Sequence, residues 1–237
     1  MSGVTAKAED YFAIYGGIQF GTEGTDMTAQ EDLNYTGAFS NKHPATGSDI
    51  DLKDSATLGL RGGHFFDAMP NFGIEFDVQY SRPDFKRQDV TITLQDTSIG
   101  GHSAFTEDQL EADFHMLMGG INLIYRFNQF GNFKPYIGGG PAVFGLFIRG
   151  SGDSCRIIAP AALTRGFCDG GEMASKGVGY GFNAKAGVEI PFAENWSLDA
   201  EYKYSFAKFD VDWFRSFSDI EVDYQAHNVT AGLRYKF

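Results

Sequence analysis

Through most of this chain, every second residue is apolar, and the closing stretch "HNVTAGLRYKF" shows the pattern plainly. Val229, Ala231, Leu233, Tyr235 and Phe237 are apolar, whereas Asn228, Thr230, Gly232, Arg234 and Lys236 between them are polar or small. A period of two puts the sets on opposite faces of a β-strand, one against something oily and one against something wet. Other segments repeat it. Phe12, Ile14, Gly16, Ile18 and Phe20 alternate with Ala13, Tyr15, Gly17 and Gln19, and Leu58 and Leu60 oppose Thr57, Gly59 and Arg61. "FGIEFDVQYS" sets Phe72, Ile74, Phe76, Val78 and Tyr80 against Glu75, Asp77, Gln79 and Ser81. Leu117, Ile121, Leu123, Tyr125 and Phe127 oppose Asn122 and Arg126; Phe182 to Phe192 and Trp196 to Phe206 behave likewise. "PYIGGGPAVFGLFI" is so rich in glycine that its facing stays open. Together these segments predict eight strands.

The oily side is either a soluble core or lipid. Composition narrows the choice: 237 residues suit one large β domain, and no run approaches the roughly 20 apolar residues of a membrane-spanning helix. Alternating strands hide their hydrophobicity in any average, so a transmembrane barrel stays open. A net charge of -12 argues against nucleic acid as a partner. Ala6-Lys7-Ala8 has the small-x-small form of a leader cleavage site without the apolar stretch that would precede it, so residues 1–8 read as a leader remnant or an added start.

The connections decide. Short turns fall at "DAMPN", "NQFGNFK" and "AEN", and long polar connections at 28–49, 87–109 and 151–174. Phe66, Phe72, Phe127, Phe192, Trp196, Tyr235 and Phe237 gather at the short-turn end, where a lower aromatic girdle would lie. A soluble sandwich gives no reason for this asymmetry. The expected fold is all-β: one domain over residues 9–237, an eight-stranded antiparallel up-and-down transmembrane β-barrel, its last strand pairing with the first to leave no edge in lipid.

"HNVTAGLRYKF" with terminal Phe237, and "LGLRGGHFF" running into "FGIEFDVQY", resemble the small eight-stranded outer-membrane barrels of Gram-negative bacteria, the OmpA-barrel, OmpX and opacity-protein group. The resemblance implies residence in that outer membrane with both termini periplasmic. It implies contact with outer-membrane lipid and lipopolysaccharide, and recognition of the C-terminal strand by the barrel assembly machinery. It identifies an architecture and leaves function open.

Within such a barrel, Arg61, Arg126, Lys185, Lys203, Arg234 and Lys236 face the lumen together with Glu75, Asp77, Glu189, Asp199, Glu201 and Asn122. The two signs nearly cancel, and an eight-stranded lumen is just wide enough for side chains to fill. The set reads as a polar plug, with an ion path as the alternative; counting back from the first short turn puts Arg61 opposite Asp77, as an ion pair. Cys155 and Cys168, the only cysteines, share the third long connection. At an oxidising cell surface they are expected to form a disulfide contributing about 3 kcal/mol.

Beyond the lipid-spanning stretch the polarity of the faces inverts. Phe114, Met116, Phe209, Trp213, Ile220 and Tyr224 turn inward, while Asp210, Asp212, Glu221 and Asp223 turn outward. The inward set is a small core stiffening the extension, or a pocket for an apolar ligand. If the last hairpin turns about Ser216 and Phe217, Asp212 faces Glu221 and Asp210 faces Asp223. Those carboxylates would be merely solvated or would hold Ca²⁺ or Mg²⁺. His64, His115 and His227 face outward without a Ser or Asp at triad spacing; His227 is only loosely near Asp210 and Asp212. No catalytic residue and no cofactor is expected. The leading expectation is a non-enzymatic surface or structural protein whose long connections meet an extracellular or membrane protein partner. A passive conduit or binder of small hydrophobic molecules, like the OmpW group, comes second, and an enzyme acting on lipid or peptide third.

Overall fold

The computed structural model describes residues 9–32, 42–47, 49–84, 90–94, 104–107, 111–152, 156–158, 171–214 and 217–237. The leader segment 1–8 and both cysteines, with their expected disulfide, lie outside the described residues.

The wall of the barrel is made by β1 (Glu9–Asp32), β4 (Ser55–Phe66), β5 (Met69–Ser81), β8 (Glu111–Arg126), β9 (Lys134–Gly152), β11 (Gly171–Pro191), β12 (Trp196–Phe214) and β13 (Phe217–Lys236). Each pairs antiparallel with its chain neighbours, and β1 closes the ring by pairing β13 from Tyr11↔Lys236 upward and β4 from Glu9↔Phe65 to Gln19↔Ser55. It is a closed, eight-stranded antiparallel barrel. At the seam the Phe237 amide donates to the Asp10 carbonyl at 3.0 Å.

Burial follows the alternation. Phe12, Ile14, Ile18, Leu58, Phe76, Leu123, Val229 and their like are exposed on the outer wall, while Gln19, Arg61, Asp77, Asn122 and Arg234 are buried within. A wall with so much exposed apolar surface is stable only in lipid. The short turns sit at one end, and aromatic rings pair around it: Phe72 with Tyr125, Tyr125 with Phe127, Trp196 with Tyr235 and Tyr235 with Phe237, centroids 4.8–5.2 Å apart.

The long connections depart from expectation. They contain strands: β2 (Lys42–Gly47), β3 (Ile50–Asp51), β6 (Val90–Leu94), β7 (Ala104–Glu107) and β10 (Arg156–Ile158). Upper β1 pairs β3 and then β2, and the order β1–β2–β6–β7–β10 continues the barrel's own sheet through these connections. Above the lipid neither face need be apolar, so pairing continues where the alternation that signals a strand has stopped.

Candidate functional site

The lumen is filled in layers. At the short-turn end, buried ions reach across the barrel to partners on other strands. Arg61 Nη1 lies 2.5 Å from Glu201 Oε2 and 3.6 Å from Asp199. Lys203 Nζ donates to Asp77 at 2.6 Å and to Gln79 at 2.8 Å. Lys185 pairs with Glu75 and lies 3.1 Å from Glu201; Arg234 pairs with Asp199 and lies 3.3 Å from Glu189. Arg126 bridges Glu9 at 2.5 Å and Glu189 at 3.2 Å, and Lys236 joins Glu189 from the rim. A charge taken from water is costly unless paired and hydrogen-bonded; each of these ions is paired, while Nε of Arg61, Arg126 and Arg234 and Oε1 of Glu201 have no hydrogen-bond partner among the described residues.

Three tyrosines thread the network. Tyr11 OH donates to Glu75 and Tyr15 OH to Asp77, each at 2.6 Å, and Tyr136 OH stands 2.7 Å from Asp199 and 2.9 Å from Glu201. Each ring lies on a glycine of a neighbouring strand: Tyr15 on Gly59, Tyr11 on Gly63 and Tyr136 on Gly187, where any Cβ would overlap it. Guanidinium groups cover the other faces, Arg61 over Tyr15 and Arg234 over Tyr11, both 4.2 Å from the ring centre.

Above the ions comes a neutral layer, with Gln79 donating to Asn228 at 2.9 Å and Ser205 to Asn183 at 2.9 Å. Above that, Phe114, Met116, Met118, Phe144, Leu146, Ile148, Phe209, Val211, Ile220 and Tyr224 form one apolar cluster with Leu52. Phe144, Phe209 and Tyr224 meet with centroids 5.6–6.1 Å apart, and the Tyr224 hydroxyl is met from below by Gln19 Nε2 at 3.1 Å.

Comparison with known proteins matches this architecture. The sequence model for the outer membrane protein beta-barrel domain matches residues 30–237. The chain belongs to the outer membrane protein beta-barrel family. A search of curated proteins finds no match. Among solved structures it resembles the outer membrane protease OmpT from Escherichia coli, at 11% identity and TM-score 0.52 over 98% of each chain. It also resembles Neisserial surface protein A (15%, TM-score 0.42, 98% of this chain and 99% of that one) and OprG from Pseudomonas aeruginosa (16%, TM-score 0.43, 96% and 95%). At such identities the likeness is one of fold. The protein is thus an outer-membrane barrel of the Gram-negative type.

In this barrel the expected plug residues Arg61, Glu75, Asp77, Arg126, Lys185, Glu189, Glu201, Lys203 and Arg234 come together. Asn122 does not join them: it sits in register with Glu75, fully buried, and neither of its amide atoms has a hydrogen-bond partner among the described residues. One pair needs correcting. Arg61 and Asp77 are in register, yet Arg61 pairs with Glu201 and Asp77 with Lys203. Long side chains on adjacent strands both point into the lumen and meet the opposite wall sooner than each other.

The expected apolar residues Phe114, Met116, Phe209, Ile220 and Tyr224 are buried together; the Trp213 side chain lies outside the described residues. The acidic ladder is overturned. The last hairpin pairs Phe214 with Phe217, which puts Asp210 opposite Glu221 and Asp223 opposite Lys208, with Lys208 Nζ 3.3 Å from Asp223. The register lies two residues from expectation, which keeps every face right and every neighbour wrong. A lysine replaces one carboxylate, the Asp212 side chain lies outside the described residues, and no cation-binding group of acids forms among those described. His227 is also not beside Asp210: it pairs in register with Tyr204 and bonds the Tyr202 hydroxyl at 2.7 Å.

Sequence reasoning left Tyr11, Tyr15, Tyr136 and Glu9 out of the plug. Parity was the available signal for Tyr15, which alternates with Ile14 and Gly16, and for Tyr11 and Glu9 before it. For Tyr136 the following glycines leave no parity to read.

Proposed function

We propose that this outer-membrane barrel is a non-enzymatic surface protein: a sealed cylinder whose sheet continues through β2, β6, β7 and β10 outside the cell. The observation that carries this reading is the filled lumen. Ions, amides and an apolar cluster occupy successive levels, so what the molecule offers a partner lies at the long-connection end. On this reading the short-turn end and both termini are periplasmic, the wall meets lipid and lipopolysaccharide, and the C-terminal strand is what the assembly machinery recognises. Of the outer-wall histidines, His64 bonds Asp10 at 2.8 Å, and His115 and His227 bond tyrosines.

A second reading, an apolar-ligand binder, draws on Met116 and Met118 in the upper cluster, since thioether side chains repack around a guest at little cost. Planar-bilayer recording with titration of a fluorescent apolar probe separates the two. The surface role requires no conductance and no saturable binding. Saturable binding lost on Phe114→Ala would replace it with the binder, and steady conductance would replace it with a conduit.

A further inference from the structure

On the outer wall, away from the lumen, one two-residue device occurs twice. Tyr80 on β5 and His115 on β8 share a hydrogen bond of 2.6 Å between phenol and imidazole Nδ1. Tyr202 on β12 and His227 on β13 share one of 2.7 Å. In both, the histidine is diagonal to its tyrosine, two residues nearer the long-connection end, since Tyr80 is in register with Leu117 and Tyr202 with Val229. The rings lean alike, centroids 6.1 and 6.0 Å apart at 31° and 26°. A phenol that donates to Nδ1 sends the ring's own proton to Nε2, which becomes the donor left for a partner beyond the wall.

Height identifies that partner. On the same two histidine-bearing strands, Tyr125 and Tyr235 belong to the lower aromatic girdle. Counting along β8 from Tyr125 to His115 and along β13 from Tyr235 to His227, at about 3.3 Å per residue and a tilt of about 40°, gives climbs of roughly 25 and 20 Å. The apolar band of such barrels is about 25 Å tall. His115 therefore stands at its upper rim, where acyl chains give way to headgroups, and His227 within about 5 Å of it. At the first pair the paired register ends at Ser81↔Met116, and the next residue, Arg82, is half exposed with its Nε 3.6 Å from Asp84. At the other pair, Phe20 stacks on His227 with centroids 5.7 Å apart, and the nearby acids are engaged, Glu23 by Gln225 and Asp223 by Lys208.

We propose that the two Tyr–His pairs are binding sites for the phosphate groups of membrane lipids. The tyrosine fixes the tautomer and orients the ring, and Nε2–H donates to a phosphate oxygen. The inference rests on the membrane placement of the wall and is independent of whether the lumen conducts.

The test uses the full barrel in maltoside detergent, melted with lipid A carrying both phosphates, with the same lipid dephosphorylated, and with inorganic phosphate alone. Bisphosphorylated lipid A is expected to raise the melting temperature and to move the ¹⁵N resonances of both Nε2 atoms. His115→Gln/His227→Gln should melt as wild type does in detergent alone and lose most of that rise. Tyr80→Phe and Tyr202→Phe, which keep the imidazoles but free their tautomers, should lose part of it. The proposal falls if the double variant keeps the rise, if the dephosphorylated lipid gives an equal one, or if the Nε2 resonances stay in place. It also falls if inorganic phosphate alone reproduces the effect, which would indicate a free-anion site.

Discussion

Replacing Arg61 by alanine removes a cation that bridges two carboxylates of the lumen. Its side chain is 1% exposed and stands between Glu201, also buried, and Asp199. Truncating one member of a buried pair costs on the order of 3–5 kcal/mol because the other charge is stranded. Neither carboxylate here would be wholly bare: Glu201 keeps Lys185 at 3.1 Å and the Tyr136 hydroxyl at 2.9 Å, and Asp199 keeps Arg234. That argues for the lower end, about 3 kcal/mol, including what the guanidinium contributes by covering Tyr15. The sharper quantity is a coupling energy. A double-mutant cycle of Arg61→Ala with Glu201→Ala should give about 2 kcal/mol, and the cycle with Asp77→Ala, the register partner, below about 0.5 kcal/mol. Urea unfolding in phospholipid vesicles, followed by tryptophan fluorescence and by boiling-dependent gel mobility, provides the free energies. Coupling to Asp77 equal to or above that to Glu201 would refute the cross-lumen pairing, and an Arg61→Ala loss within about 0.5 kcal/mol would show that the site is wet.

Two further outcomes follow from the same packing. Gly59→Ala and Gly187→Ala should each destabilise the barrel by about 1–3 kcal/mol, because the new methyl displaces the ring of Tyr15 or Tyr136 from its carboxylate; the near-UV circular dichroism of the tyrosines should change with it, and an unchanged melt would exclude the overlap. Phe209→Ala, at 2% exposure against Phe144 and Tyr224, should cost about 3–5 kcal/mol in the vesicle assay, and a loss below about 1 kcal/mol would mean that the upper cluster is loosely packed, as the ligand-binder reading requires.

What could be read from the sequence, and what could not, divides along physical lines. Facing was legible because lipid and lumen make opposite demands on alternate residues. Val229 against Asn228, or Phe76 against Asp77, settles the matter without knowing any neighbour. It failed where glycines blank the alternation, as between Tyr136 and Ala142, and where water wets both faces. The extension of the sheet through the long connections therefore went unread.

Partnership is a different kind of information from facing. A register slip of two preserves every face, so the last hairpin could be read with its polarity right and with Asp223 set against Asp210, when it meets Lys208 instead. Register alone was also insufficient: Arg61 and Asp77 are adjacent along the wall, yet their charges are satisfied across the lumen. In an open sheet, neighbours in register are the nearest available partners. Closing the sheet into a barrel this narrow brings the far wall within reach of any arginine or lysine, and the balance of charge is then struck around the whole circumference. Composition could foretell that balance, because it needs only the inward set and its signs. Which ion meets which is fixed by ring size, by the tyrosines between them and by the glycines that make room for those rings. Those terms exist only once the last strand has met the first.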